Sequence, residues 1–184
     1  LTRKEILFSS ADPEIQMMIS AANWGGEIHS PRCPWLAFRC TPDSLFIVEA
    51  NLGVNKANCC VKRSVDIEIT QIGNQLHHRF VIDYDNQSQV SSHGGRYKAW
   101  VWMLTPVGES GFWVDVPNGS KTQVVGSYDV PIESKLGSID SPSISLLVQK
   151  QSGAVATPVS VSYYARHHEF VLDYETNIIG LDGY

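Results

Sequence analysis

The sequence predicts an all-β fold, a sandwich or a barrel of about eight to ten strands with one short helix near the N-terminus. Apolar and polar residues alternate with a period of two in many short segments. Clusters of Gly, Pro, Asn and Ser separate these segments, as turns separate strands. Apolar residues follow helical spacing in one place alone. These observations favour strands over helices for most of the chain.

The one helical segment begins after Asp12, whose carboxylate can accept hydrogen bonds from the free amides of a first turn. Pro13 follows at the first helical position, where its fixed φ is suitable. The apolar residues at helical spacing are Ile15, Met18, Ile19 and Ala22. Two glycines, Gly25 and Gly26, then end the run. We predict a short amphipathic helix from Pro13 to Ala22.

Strands are predicted for the rest of the chain. The alternation is clearest around Ile67 and Ile69 and again around Ile82. Further strands are predicted at 44–51, 97–105, 111–116, 122–128, 144–150 and 159–172. Asn118 and Gly119 predict a hairpin turn, because both central residues of this turn type need a positive φ.

The chain is predicted to form a single domain over residues 1–184, with 1–60 as the N-terminal segment and first strands and 61–184 as the main strand run. Charged residues make up 18 % of it, where about 25 % is usual. The net charge of -5 argues against binding nucleic acid through bulk charge. No apolar run approaches the roughly 20 residues needed to cross a bilayer, so no membrane partner is expected. The predicted surface is short of charge.

No catalytic or metal site is predicted, and no cofactor is expected. The six histidines lack the spacing of zinc ligands. Motifs for a nucleophile or a phosphate loop are also missing, so we do not expect an enzyme. Four cysteines are too few for a disulfide scaffold, and adjacent Cys59 and Cys60 could hardly bond each other without strain. Reduced thiols and an intracellular origin are therefore predicted.

Two adjacent histidine pairs, His77–His78 and His167–His168, allow two interpretations. Because neighbouring residues of a strand point to opposite faces, one histidine of each pair would be packed or hydrogen-bonded and the other solvated. Alternatively, all four would lie at a subunit boundary, where protonation near about pH 6 places like charges together and loosens the contact.

One predicted strand is apolar on both faces. Within residues 97–104, Trp100 and Trp102 share one face, and Trp113 repeats the pattern in the next strand. The outer face of a small sandwich normally meets water, so these indoles indicate a covering segment or another protein chain. Two alternatives stay open: residues 1–60 cover this face, or the three indoles form a stacking platform for sugar rings.

The final predicted strand carries a resemblance to a known family. Residues 158–170 contain alternating apolar residues, then Tyr164-Ala165-Arg166, and later Glu169-Phe170. This pattern resembles the closing strand of the jelly-roll coat proteins of picorna-like viruses. A single domain of this length is similar to a small coat protein of the plant secoviruses, of the cheravirus type. The resemblance implies an antiparallel eight-stranded jelly-roll β-sandwich with one short N-terminal helix.

The resemblance also implies a function. The chain would be a structural capsid subunit of a non-enveloped icosahedral virus, a polyprotein product beginning at Leu1, made in the host cytoplasm and located in the virion. Its partners would be copies of itself, other coat proteins and, weakly and non-specifically, the enclosed RNA genome. The expected subunit-interface residues are Trp100, Trp102, Trp113, His77, His78, His167 and His168. The expected RNA-facing residues are Lys56, Lys62 and Arg63. The alternative is a carbohydrate-binding β-sandwich module of a larger secreted protein.

Overall fold

The structure is a computed structural model that describes residues 7–22, 24–33, 40–53, 55–89, 94–132, 143–149, 151, 157–165, 168–176 and 179–181. Within these ranges, one helix precedes a sandwich of eight strands in two four-stranded sheets. One further C-terminal strand is added at an edge of each sheet, so that each sheet has five strands in all. The predicted mostly-β sandwich with one short helix is confirmed.

The helix α1 is Pro13–Ala21, and the strands are β1 Cys40–Asn51, β2 Val61–Ile72, β3 Gln75–Asn86, β4 Tyr97–Thr105, β5 Gly108–Val116, β6 Lys121–Pro131, β7 Ser143–Gln149, β8 Thr157–Ala165, β9 His168–Thr176 and β10 Ile179–Leu181. A short 3-10 helix, Ala57–Cys60, precedes β2. Sheet A has the order β10-β7-β1-β4-β5, and sheet B has the order β6-β3-β2-β8-β9.

The sheets are mixed. β1 pairs with β7 in parallel, and β2 pairs with β8 in parallel, whereas the other described pairs are antiparallel. Both parallel partners lie after β6, where the chain passes from β6 in sheet B to β7 in sheet A and back to β8 in sheet B. A parallel pair needs such a crossover connection. The predicted purely antiparallel pairing is therefore wrong.

The helix starts as its sequence predicts. Asp12 Oδ1 accepts hydrogen bonds from the amides of Glu14 at 2.9 Å and Ile15 at 3.3 Å, and Pro13 is the first helical residue. The two amides are among those that the first turn of a helix leaves without a partner. The helix ends at Ala21, one residue before the predicted end.

Two turns differ from the predictions. Gly119 has a φ of 65°, as the turn chemistry requires, but the flanking strands β5 and β6 enter different sheets and form no hairpin. The single strand predicted at 159–172 is instead the antiparallel pair of β8 and β9, in which Tyr164 is opposite Glu169. The segment that carries the family resemblance is thus divided between two strands. Alternation alone does not reveal where a strand reverses.

The core lies between the inner faces of the two sheets. Its members are contributed by alternate positions of the strands, as a face-to-face packing requires. Fully buried examples are Leu45 from β1, Ile67 from β2, Ile82 from β3, Val101 from β4 and Val114 from β5. Their burial removes the apolar surface that makes the sandwich stable.

The cysteines are paired. Cys33 and Cys40 form a disulfide with their Cα atoms 5.7 Å apart, within the normal range for such a bond. Cys59 and Cys60 are also bonded to each other. The predicted reduced thiols are wrong, because Cys33 lies beside Cys40, the first residue of β1.

Candidate interaction surface

Three tryptophans form a cluster on the outer face of sheet A. Trp100 of β4 is opposite Trp113 of β5 in the register, and their ring centroids are 5.2 Å apart at an interplanar angle of 69°. The rings of Trp100 and Trp102 are 6.0 Å apart at 80°. Edge-to-face contacts of this kind are favourable for aromatic pairs. Trp102 is 40 % exposed and Trp113 is 64 % exposed, so the cluster presents indole surface to its surroundings.

Gly111 makes this arrangement possible. It is opposite Trp102 in the register, and a Cβ atom at this position would lie 2.5 Å from Cζ2 of Trp100. The indole of Trp100 therefore lies across the backbone of β5, a close approach that only glycine allows. A side chain at position 111 would displace this ring from the centre of the cluster.

Charged groups flank the tryptophans at both ends. Arg96 and Asp115 form a two-pronged ion pair, with Nε to Oδ1 at 2.5 Å and Nη2 to Oδ2 at 2.8 Å. The hydrogen bond from Arg96 lowers the pKa of Asp115 below its ordinary value. At the other end, exposed Glu109 is opposite Leu104. The surface is apolar at its centre and polar at its limits.

The N-terminal segment covers a different part of sheet A. Gln149 of β7 accepts a hydrogen bond from the amide of His29 at 2.9 Å and donates one to the carbonyl of Glu27 at 2.8 Å. Ser145 donates to the carbonyl of Arg32 at 2.9 Å. These bonds hold the segment over β7, and the described part of residues 1–60 leaves Trp102 and Trp113 exposed.

Helix α1 adds a second exposed apolar surface. None of its side chains is buried. Ile15 is 50 % exposed, Met17 is 66 % exposed and Met18 is 72 % exposed. The amphipathic pattern predicted from the sequence is present, yet the apolar side of the helix packs against little of the described chain.

The adjacent histidines His77 and His78 have opposite environments. His78 is fully buried, with Nε2 2.6 Å from Oδ2 of Asp43, so its imidazole cannot contact another subunit. His77 is on the surface, with Nδ1 2.6 Å from Oδ1 of Asp129. The interpretation of one packed and one solvated histidine is confirmed for this pair. His167 lies outside the described residues, and of His168 only the backbone is described.

The three basic residues predicted to face RNA do not act alike. Lys56 and Lys62 are exposed. Arg63 has a side chain that is 14 % exposed, and its Nε donates to Oε2 of Glu49 at 2.7 Å. Its Nη2 also donates to the hydroxyl of Tyr97 at 2.9 Å. The prediction fails for Arg63, because its guanidinium points between the sheets and its donors are used there.

Sequence reasoning missed the two acidic residues that hold the sheets together. Asp43 and Glu49 occupy inward-facing positions of β1, in phase with buried Leu45. Glu49 accepts hydrogen bonds from Arg63 of β2, from Tyr97 of β4 and, at 2.9 Å, from Tyr84 of β3. The alternating pattern of β1 could have identified both residues, because it places Asp43 and Glu49 at inward positions. A charge at an inward position requires a partner.

Alkaline pH is expected to weaken the fold through Tyr84 and Tyr97. Burial is the main cause that raises the pKa of both hydroxyls, and the charge of Glu49 raises it further. In the unfolded chain the hydroxyl of a tyrosine ionises at about pH 10. The stabilisation is therefore complete below that pH and is lost as the pH rises above it, by about 1.4 kcal/mol per pH unit for each tyrosine.

Urea unfolding between about pH 9 and 11, with tyrosinate absorbance recorded in parallel, measures this effect. Tyr97→Phe should reduce the slope of stability against pH. A free energy of unfolding that stays constant across this range would contradict the prediction.

The residues that the structure describes include no group of three His, Cys, Asp or Glu side chains arranged to hold a metal ion. Among the same residues, no helix has the length and apolar character to cross a membrane. Comparisons with known proteins found no match: no protein-family model, no curated protein and no solved structure is significantly similar to this chain.

Proposed function

We propose that this chain is a structural subunit of an icosahedral, non-enveloped virus shell, assembling with copies of itself and with other coat proteins around an RNA genome. One observation carries the proposal: large apolar side chains are exposed on several separate surfaces of one small domain. The work of such a subunit is assembly and not catalysis.

The exposed apolar residues belong to elements that are far apart in the sequence. Met18 of α1, Trp113 of sheet A and Val125 of sheet B are 72 %, 64 % and 51 % exposed. Large exposed apolar patches on a soluble protein mark sites of contact with other proteins. A shell subunit has several neighbours, and each standard contact removes roughly 1,200 to 2,000 Å² of surface from water. The low charged fraction of 18 % is consistent with surfaces of this kind.

The proposal rests on these surfaces more than on the family resemblance. A jelly roll is an antiparallel architecture, and two of the strand pairs described above are parallel. The resembling segment extends over β8 and β9. Contact with RNA would come from exposed Lys56 and Lys62, and with a net charge of -5 it would be weak and sensitive to salt.

A carbohydrate-binding module is the second candidate, and two observations favour it. Trp102 and Trp113 offer exposed rings, with the hydrogen-bonding pair of Arg96 and Asp115 nearby. Disulfides such as that of Cys33 with Cys40 are typical of oxidising compartments, where secreted modules are found. This candidate uses the tryptophan cluster alone and gives no role to the apolar side of α1.

Electron microscopy and light scattering of the purified chain over a range of salt and pH test the proposal. We expect particles much larger than the 20.4 kDa monomer, and fewer of them for the variant Met18→Ser/Trp113→Ser, which removes two exposed apolar groups. Lys98→Ser is the matched control, since Lys98 is exposed on the same face of β4 as Trp100. Its particle yield should equal that of the unchanged chain.

A chain that remains monomeric or dimeric under every condition would contradict the shell. Quenching of indole fluorescence by a glycan, lost in Trp113→Ser and without particles, would instead support the second candidate.

A further inference from the structure

Strand β6 is an open edge of sheet B. One side of this strand pairs with β3 in an unbroken antiparallel register, from Gln75 opposite Pro131 to Asp85 opposite Lys121. Among the described residues, no strand pairs with its outer side. Proteins usually protect so long an edge with a bulge, a proline or an inward-pointing charge, because an open edge is a template for another strand. Within β6 the one proline is the last residue.

Two backbone hydrogen bonds establish which groups of β6 point outward. The amide of Asn86 donates to the carbonyl of Ser120 at 2.9 Å, and the amide of Ile132 donates to the carbonyl of Asn74 at 2.9 Å. In an antiparallel ladder, hydrogen-bonded and non-hydrogen-bonded residues alternate. The even-numbered residues therefore bond to β3. The residues whose amides and carbonyls point to the open side are Lys121, Gln123, Val125, Ser127 and Asp129.

This edge is complementary to itself. If a second β6 runs antiparallel with Val125 opposite Val125, then Lys121 lies opposite Asp129 at both ends of the pairing. The side chains of Lys121 and Asp129 are 81 % and 50 % exposed. Lys121 is 3.9 Å from Asp85, and the contact of Asp129 with His77 uses Oδ1, so Oδ2 can accept from a lysine across the contact. Opposite charges directly across a strand pair are favourable, and like charges are not.

Other registers are poorer. Sliding the second strand by two residues places Lys121 opposite either Pro131, which has no amide to donate, or Ser127, which has no charge. A shift of the register by one residue is excluded. It would place the outward-pointing amides and carbonyls of one strand opposite residues of the other strand whose amides and carbonyls point toward β3. The pairing centred on Val125 is the one that uses the outward amides and carbonyls of all five residues and matches both charges.

We propose that two copies of this chain pair through β6 in that register, joining their B sheets into one continuous sheet across a two-fold axis. The contact would supply up to about ten main-chain hydrogen bonds, two for each hydrogen-bonded pair of residues. Such an interface is isologous and closes as a dimer. The inference stands on β6 alone and does not depend on the proposed shell.

Disulfide trapping of Val125→Cys tests the register. Residues opposite each other in a hydrogen-bonded pair have Cα atoms about 5.5 Å apart, within the range that disulfides span. Their Cβ atoms are farther apart than in a non-hydrogen-bonded pair, so a short bifunctional thiol cross-linker is used beside oxidation. We expect mild oxidation of V125C to give a covalent dimer. The matched control is Gln123→Cys, on the same face of the same strand, which should not link to itself but should link to Ser127→Cys when the two are mixed. The unchanged chain, with no free cysteine among its described residues, should give no covalent dimer.

Charge exchange provides an independent test by sedimentation velocity. Lys121→Glu and Asp129→Lys each place like charges across the contact twice, and each should raise the dimer dissociation constant about tenfold. The double variant K121E/D129K restores opposite charges and should regain the original value. Circular dichroism confirms that each variant folds. The proposal is overturned if folded V125C stays monomeric both on oxidation and with the cross-linker, or if the double variant dimerises no better than the single ones.

Discussion

Asp43→Ala is expected to lower the free energy of unfolding by about 3–5 kcal/mol, because it removes one partner of a fully buried carboxylate–imidazole pair. Nδ1 of His78 is 3.0 Å from the carbonyl of Leu76, so this nitrogen must carry a proton. Nε2 is 2.6 Å from Oδ2 of Asp43, and both side chains are fully buried. Oδ1 of the same carboxylate also accepts a hydrogen bond from the amide of Ser44 at 2.7 Å. Without Asp43, Nε2 of His78 is buried without its partner, and the part-buried amide of Ser44 loses its acceptor.

The pair joins the two sheets, since Asp43 belongs to β1 and His78 to β3. The ring of Tyr128 stacks on that of His78, with centroids 4.3 Å apart and an angle of 6° between the planes. The imidazole is therefore enclosed, and water cannot easily replace the lost carboxylate. A loss of this size is a large part of the roughly 5–15 kcal/mol that stabilises a typical domain.

The chain contains a matched control for this prediction. His77 and Asp129 form the same kind of pair at the same 2.6 Å, but their side chains are 40 % and 50 % exposed. Asp129→Ala should therefore cost no more than about 1 kcal/mol. Asp43→Asn is a second control, because its amide can donate to a neutral His78 and its oxygen can still accept from Ser44. It should lose less stability than Asp43→Ala.

Urea unfolding of the three variants measures the differences. Equal losses for Asp43→Ala and Asp129→Ala would show that burial does not decide the strength of the pair. The double variant Asp43→Ala/His78→Leu should be more stable than Asp43→Ala, since it leaves no buried imidazole nitrogen without a partner.

The two pairs also show what the sequence could reveal. Alternation predicted that adjacent His77 and His78 face opposite sides, and it placed β4 at the residues where it is found. It could not name Asp43, because the partner of a buried histidine comes from the other sheet, 35 residues away. Contacts between sheets depend on topology, which a local pattern does not contain.

Strand direction was unpredictable for the same reason. A period-two pattern is the same in parallel and antiparallel strands, so the sequences of β7 and β8 do not indicate that each has a parallel neighbour. The turn at Gly119 was predicted from its chemistry, but that chemistry does not determine which sheet the next strand joins. The three tryptophans were the easiest residues to identify, since two of them make β4 apolar on its outer face. The pairing of Trp100 with Trp113 was not predicted, and it is set by the tight turn that places Thr105 opposite Gly108.

Glu49→Ala is expected to have an effect as large as that of Asp43→Ala. The side chains of Glu49 and Arg63 are 10 % and 14 % exposed, and without the carboxylate the guanidinium is held between the sheets with no counter-charge. The hydroxyls of Tyr84 and Tyr97 lose their acceptor at the same time. Removing one partner of a buried pair costs about 3–5 kcal/mol, again measurable by urea unfolding.

A second measurement separates this network from a general loss of packing. The charge of Glu49 raises the pKa of Tyr84 and Tyr97, whereas the charge of Arg63 lowers it. In folded Glu49→Ala the first influence is gone and the second remains, so tyrosinate absorbance should appear at a lower pH than in the unchanged chain. Glu68→Ala, which removes an exposed carboxylate from β2, should change neither the stability nor the titration.

A variant Glu49→Gln/Arg63→Met removes both charges, and it should be more stable than Glu49→Ala because no charge is then buried alone. If it is less stable, the network contributes through its packing and not through the pairing of its charges.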